Sequence, residues 1–283
     1  MILVQDQLKD QSEVRIDIED RGYQFGDGVY EVVRIYNGQY FGMDEHLERL
    51  ERSAKEIHMT LPYPIELLKT RLEKLAEAND INDGHVYLQI TRGVAERTHQ
   101  FPAEPTPFLV AYARKSPRPE NKMREGITAI TTEDIRWLRC DIKSLNLLGN
   151  VLGKQKAMDA KCDESIFIRS NDIVTEGSST NVYILKDGEI FTHPANNFIL
   201  NGITRRVVLE LAEEAGITVH EKTFNKQELM DADEVIISST TMEVTPVISI
   251  DGKQVGTGVP GKVARTLQEK FNERIDKLQS VKN

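Results

Sequence analysis

Cysteine is scarce in this 283-residue chain, which carries only Cys140 and Cys162. Two thiols make no disulfide framework for a chain of this length, and neither has partners at zinc-type spacing, so no metal site is expected. Reduced thiols in the cytoplasm are the simple reading. No apolar run reaches the ~18 residues that a membrane-spanning helix needs. Residues 1–6 turn polar too early for a signal peptide. Basic residues are outnumbered, 36 against 45 acids, for a net charge of -9. That balance disfavours nucleic acid or an anionic membrane as the main partner, since both need a clustered basic face. An anionic small substrate stays possible if arginines gather locally. Repeats and low-complexity tracts are missing as well. What remains is an ordinary globular composition, 39% hydrophobic and 29% charged, long enough for two domains.

Local patterning mixes helix and strand. Residues 29–36 are rich in β-branched and aromatic types, and Asn37-Gly38 then signals a hairpin before residues 39–41. On that strand Tyr30, Val32 and Arg34 share one face, and Glu31, Val33 and Ile35 the other. Asp44 is placed to cap a helix whose apolar positions are Leu47, Leu50, Ala54 and Ile57. A second helix is expected over residues 65–79 and a strand over 86–91. Two prolines make residues 116–121 the best linker, dividing an N-terminal domain (1–118) from a C-terminal one (122–283). Beyond it short strands are expected at 128–132, 165–169, 181–185 and 234–238. A helix over 203–215 ends at Gly216, and turns fall at Asp187-Gly188 and Asp251-Gly252. The fold class is therefore α+β, with a smaller N-terminal α/β domain and a larger strand-rich domain able to curl into a partial barrel.

One stretch concentrates unusual chemistry: Arg136-Trp137-Leu138-Arg139-Cys140-Asp141-Ile142-Lys143-Ser144-Leu145-Asn146. A lysine does covalent work only when its amine can be neutral, and an unperturbed lysine titrates near ~10.4. Cationic neighbours such as Arg136 and Arg139 are one means of lowering such a value. A surface or salt-bridged lysine fits the same residues. Asn201-Gly202-Ile203-Thr204 stands where a turn enters a helix, and unpaired N–H groups there bind anions or simply mark a cap. Arg97 and His99, two apart in a loop-like segment, project to one side if the chain is extended; two surface bases are the plainer account.

The lysine run resembles the active-lysine segment of pyridoxal-phosphate (PLP) aminotransferases of fold class IV, in particular the D-amino-acid branch. The same family pattern appears, in the same order, in Asp20-Arg21-Gly22-Tyr23-Gln24-Phe25-Gly26-Asp27-Gly28-Val29-Tyr30-Glu31, Thr91-Arg92-Gly93, Arg97-Thr98-His99, Thr175-Glu176-Gly177-Ser178-Ser179, Asn201-Gly202-Ile203-Thr204-Arg205 and Ser238-Ser239-Thr240-Thr241. The resemblance implies PLP held in a cleft between the two domains. It implies Lys143 as the Schiff-base lysine and proton shuttle. It makes Arg49, Ile203, Thr204, Ser239 and Thr240 phosphate ligands and Glu176 the partner of the ring nitrogen. Arg136 is implied near the ring's phenolic oxygen, Leu200 against the ring face, and Ser179 as a cofactor support. Arg97 and His99, reaching from the neighbouring subunit of a homodimer, are implied to receive the substrate carboxylate with Tyr30, and Val32 is implied to line the substrate site. His46 and His85 match nothing and read as structural.

The activity implied is exchange of amino groups between D-alanine or D-glutamate and the 2-oxo acids pyruvate and 2-oxoglutarate. A branched-chain L-aminotransferase and an aminodeoxychorismate-type lyase share the fold and remain alternatives. A silent binder of a phosphorylated ligand is disfavoured by Lys143 and Glu176. A cysteine hydrolase built on Cys140 has no signature behind it.

Overall fold

The computed structural model describes residues 1–280, and the chain divides into two compact units. Unit 1 comprises Met1–Pro117 together with Ile142–Asn146; unit 2 comprises Arg118–Asp141 and the chain from Leu147 onward. The short excursion at 142–146 differs from the sequence expectation, which gave all of 122–283 to the second domain. Near the crossover, Pro119 ends the extended segment and caps a helix at Glu120–Glu125, so the expected linker overlaps a first helical turn.

Unit 1 is built on six antiparallel strands: β1 (Ile2–Val4), β2 (Gln7–Lys9), β3 (Gly28–Tyr36), β4 (Gln39–Phe41), β5 (Gly84–Thr91) and β6 (Phe108–Lys115), in the order β2-β1-β6-β5-β3-β4. Asn37 and Gly38 both have positive φ, 48° and 73°, as a two-residue hairpin turn requires. Two helices, α2 (Met43–Glu56) and α3 (Ile65–Ala78), bury Leu47, Leu50, Ala54, Leu68, Leu72 and Leu75 against Val29, Val33, Val86, Leu88 and Ile90. Each such leucine contributes about 1.5–3 kcal/mol by leaving water. Asp44 does not cap α2: Gly42, at φ 66°, is the N-cap, and Asp44 lies in the first turn and pairs with Lys69 at 2.6 Å. The short helix α1 (Arg21–Phe25) is capped by Asp20, whose side chain accepts from the Gly22 N–H.

Because β4 pairs only with the end of β3, the first half of β3 offers an open edge, which residues 143–145 fill. Tyr30 N–H donates to the Lys143 carbonyl and Leu145 N–H to the Gly28 carbonyl, both at 3.0 Å, while Ile142 joins the core.

Unit 2 holds a nine-stranded mixed sheet: β7 (Ile127–Glu133), β8 (Glu164–Arg169), β9 (Ile173–Gly177), β10 (Asn181–Lys186), β11 (Glu189–Thr192), β12 (Val219–Glu221), β13 (Glu234–Ser239), β14 (Glu243–Ile250) and β15 (Lys253–Gln254). Its main path runs β12-β11-β10-β13-β14-β7-β8-β9, with β15 beside β14. β9 and β10 are joined by three residues yet stand five places apart along that path. Laid flat, five strand spacings would cover about 24 Å. The connection reaches only about 14 Å, so the sheet must curl. This is the partial barrel anticipated above. The helices of this unit are α4 (Glu120–Glu125), α5 (Leu148–Asp159), α6 (Ile203–Glu214), α7 (Lys226–Met230) and α8 (Lys262–Ser280).

Candidate active site

In unit 1 Lys143 sits where the added edge segment passes β3. Its Nζ lies 4.1 Å from the centroid of the Tyr30 ring, and its N–H donates to Ser53 Oγ at 3.3 Å. Tyr30 stacks on Tyr87 at 5.7 Å, and Tyr87 on Tyr112 at 5.0 Å, so a ladder across three strands fixes the ring facing the amine. Val32 is half-buried one step along the same face. The two arginines that sequence placed near Lys143 are engaged elsewhere. Arg139 pairs with Asp141 at 3.0 Å, and Arg136 with two carboxylates of unit 2.

Arg49 lies off the stripe of Leu47, Leu50 and Ala54, yet it is buried and fixed by Glu31. Arg49 Nε donates to Glu31 Oε1 at 2.7 Å and Nη2 to Oε2 at 2.9 Å, while His46 Nδ1 stands 2.7 Å from Oε2. Burial opposes ionisation of Glu31, but Arg49 and His46 outweigh it and hold the carboxyl well below its usual range. Burial also pushes His46 down. Sequence reading missed this trio, although an acid on the strand face shared with Val33 and Ile35 was its signal. Glu31→Gln should cost about 3–5 kcal/mol, since it removes one charge of a buried, hydrogen-bonded ion pair. The contribution of Glu31 should be complete above its unfolded value of ~4.3 and fade as the pH falls further. Urea unfolding of both proteins between pH 7 and 3 measures this; parallel curves would contradict it.

Arg97 and His99 are exposed and both rest on Phe25. The Arg97 guanidinium carbon lies 4.7 Å from the ring centroid, and the His99 ring meets it edge-on at 5.8 Å.

In unit 2 the closing corner of the sheet buries Glu176 at the end of β9. Arg136 Nη1 donates to its Oε1, while Asn181 Nδ2 at 3.1 Å and Leu200 N–H at 3.0 Å donate to its Oε2. Burial pushes this carboxyl above its ordinary value, with Arg136 as the chief opposing influence. Arg136 itself is anchored by Asp134, through Nε and Nη2 at 2.9 Å each, and Asp134 also receives Arg169 and the Thr175 hydroxyl. The guanidinium thus serves Glu176 directly, a partnership that sequence did not anticipate. Asp134 was missed altogether, since one acid in a polar run carries no local signal.

Helix α6 opens at Gly202 without any side-chain cap. The N–H groups of its first turn, at Ile203 and Thr204, are therefore the kind that anions satisfy. A Cβ at Gly202 would lie 2.3 Å from Asn181 Oδ1, so the turn that delivers this terminus has no room for a side chain. Ser239 ends β13, and its Oγ accepts from the Met242 N–H at 3.2 Å; Thr240 follows half-buried in the turn. Ser179 is exposed in the β9–β10 connection. An uncapped helix terminus for a phosphate, a buried carboxylate for a pyridinium and a lysine amine against an aromatic ring are donor chemistry that fits PLP. Cys140 offers no rival: burial pushes its thiol up to about 11, far from an activated thiolate.

Residues 28–250 match the family model for amino-transferase class IV. The chain is 52% identical over 274 residues to the D-alanine aminotransferase of Bacillus licheniformis, covering 97% of this chain and 96% of that one. It is 51% identical over 280 residues to that of Staphylococcus haemolyticus, covering 99% of each. Among solved structures, the branched-chain amino acid aminotransferase of Escherichia coli matches with a TM-score of 0.92 at 27% identity, over 96% of this chain and 93% of that one.

Proposed function

The chain belongs to the class IV aminotransferases, and from that premise we propose how its own residues divide the work. It catalyses PLP-dependent exchange of an amino group between D-amino acids, D-alanine and D-glutamate, and the 2-oxo acids pyruvate and 2-oxoglutarate. One observation carries this reading: 52% identity to a D-alanine aminotransferase along 97% of the chain. Branched-chain enzymes resemble it in fold at about half that identity. A coupled assay with D- and L-alanine in parallel, each against 2-oxoglutarate, tests it; preference for the L form would overturn it.

PLP, when bound, supplies a protonated ring that takes up the electron pair left as the Cα–H bond of the substrate breaks. Lys143 would hold the cofactor covalently, and its Nζ, when free, would take up and return the proton at the substrate Cα. The Ile203 and Thr204 amides at the uncapped terminus of α6 hold the phosphate, with Arg49, Ser239 and Thr240. Arg49 is suited to this because Glu31 and α2 fix the plane of its guanidinium. Leu200 would lie against the ring face and Ser179 would support it, while Arg136 would stand near the phenolic oxygen and orients Glu176 by donating to its Oε1.

Glu176 keeps the ring nitrogen protonated, and a carboxylate lifted by burial is matched to sharing that proton. Glu176→Gln, with Arg136 still balanced by Asp134, should lower turnover on the order of 10²-fold while cofactor content stays the same. Half-reaction rates on the fully loaded variant decide this, and unchanged rates would place Glu176 outside the site.

Tyr30, Arg97 and His99 receive the substrate carboxylate, the last two reaching from the other copy of a homodimer, and Val32 lines the substrate site. Support for self-association comes from Leu148, Val151 and Leu152, which expose large apolar side chains on α5. The two free cysteines support a cytoplasmic setting.

A further inference from the structure

Phe25 is ringed by bases. Besides Arg97 and His99, the guanidinium carbon of Arg21 lies 4.8 Å from its centroid. Arg21 also joins two parts of unit 1. Its Nε donates to Asp27 Oδ2 at 2.8 Å, and its Nη1 donates to the carbonyl of Thr98 at 2.8 Å and more weakly to that of Gln100 at 3.4 Å. Thr98 is the residue between Arg97 and His99.

Asp27 is itself held by Arg92, whose Nε and Nη2 donate to its two oxygens at 2.8 and 2.9 Å. Arg92 reaches on to the carbonyls of Ile57 at 2.7 Å and His58 at 3.1 Å, at the end of α2. Phe101 covers it, with its ring centroid 3.7 Å from the guanidinium carbon. Arg21 and Arg92 are buried, while Arg97, His99 and Gln100 are exposed and Thr98 is half-buried. The segment between β5 and β6 has no ladder of its own beyond a single bridge from Val94 to Asp20. It leaves β5 at Gly93, with φ 94°, where a Cβ would meet the Thr106 carbonyl oxygen at 1.9 Å. Backbone hydrogen bonds hold its start, from Arg21 N–H to the Gly93 carbonyl and from Ala95 N–H to that of Glu19, and beyond Ala95 its register depends on the side chain of Arg21 that grips its backbone.

We propose that Arg21, anchored on Asp27, is a positioning residue for Arg97 and His99, setting where the substrate carboxylate is met, with Phe25 as the surface both side chains rest on. The proposal rests on the assignment of Arg97 and His99 to that carboxylate. A two-pronged arginine–carboxylate bond tolerates little displacement, and small misplacements cost binding steeply. Arg21 grips the loop at the backbone unit between the two side chains, so its loss shifts both together.

Arg21→Met is the discriminating variant. It keeps an apolar stem against Phe25 and leaves Asp27 paired two-pronged with Arg92, so no carboxylate is orphaned. In the holoenzyme, KM for D-alanine and for 2-oxoglutarate should rise about 10- to 100-fold. The rate at saturation, and the slow reaction with ethylamine, which has no carboxylate, should change less than about threefold. Arg21→Lys, with one donor head in place of a fork, should recover only part of the loss. Quenched-flow hydrogen exchange over residues 94–101 should quicken by about tenfold in Arg21→Met.

A KM within twofold of the unmodified enzyme, or an equal loss for ethylamine, would overturn the proposal. So would unchanged exchange, or full rescue by lysine. Arg97→Ala run alongside separates the failures. If Arg97→Ala raises KM heavily and Arg21→Met does not, the positioning role is wrong. If neither raises it, the carboxylate assignment is wrong as well, and the exchange data alone show whether Arg21 holds the loop.

Discussion

Replacing Lys143 by alanine is expected to abolish the borohydride-trapped adduct with PLP and to lower turnover by roughly four orders of magnitude or more. The size of the effect follows from the double duty of one amine, which is both covalent anchor and carrier of the Cα proton. The group its Nζ faces, the Tyr30 ring 4.1 Å away, cannot replace it, because a phenol offers no primary amine. The variant should fold normally. Residues 143–145 are tied to β3 by backbone hydrogen bonds from Tyr30 and Leu145, which an alanine side chain does not disturb. Phosphate-driven binding of PLP should therefore persist without the covalent link. Mass mapping of the trapped adduct in the unmodified protein is the companion measurement. Attachment to any other lysine would refute the assignment.

The second large effect concerns the substrate carboxylate. Truncating one partner of a desolvated arginine–carboxylate pair costs ~2–5 kcal/mol. Arg97→Ala should accordingly weaken D-amino acids and 2-oxo acids on the order of 30- to several-thousandfold, while the covalent PLP adduct stays intact. Amines without a carboxylate should lose little. Mixing this variant with Lys143→Ala then asks whose site Arg97 serves. If the pair reaches across a homodimer, a heterodimer of the two variants has one site carrying both substitutions and one carrying neither. Activity should return when the two inactive proteins are mixed and allowed to exchange subunits. A verified heterodimer that stays inactive would mean that Arg97 serves its own chain or no site at all.

The sequence by itself determined most of the local architecture. The hairpin at Asn37-Gly38 follows from residues that tolerate positive φ, and the 3.6-residue spacing of Leu47, Leu50 and Ala54 marked the buried face of α2. Gly216, with φ 69°, follows the end of α6 as its composition indicated. Family resemblance singled out Lys143 and Glu176 before any geometry was in view, because motifs keep their order along the chain whatever the packing. Strands with few turn signals around them went unread, such as β6, and so did the long helix α8.

The tertiary structure alone decided where the charges go. Glu31 and Arg49 are 18 residues apart, and Arg136 meets Glu176 across 40 residues of chain. No window on the sequence contains such a pair, and an arginine looks the same on paper whether solvated or clamped. Lys143 itself packs with the N-terminal unit because β3 leaves half an edge unpaired, a vacancy set by the shortness of β4. Backbone hydrogen bonds must be satisfied wherever an edge is covered, and that long-range demand, not local propensity, carries the lysine to its place.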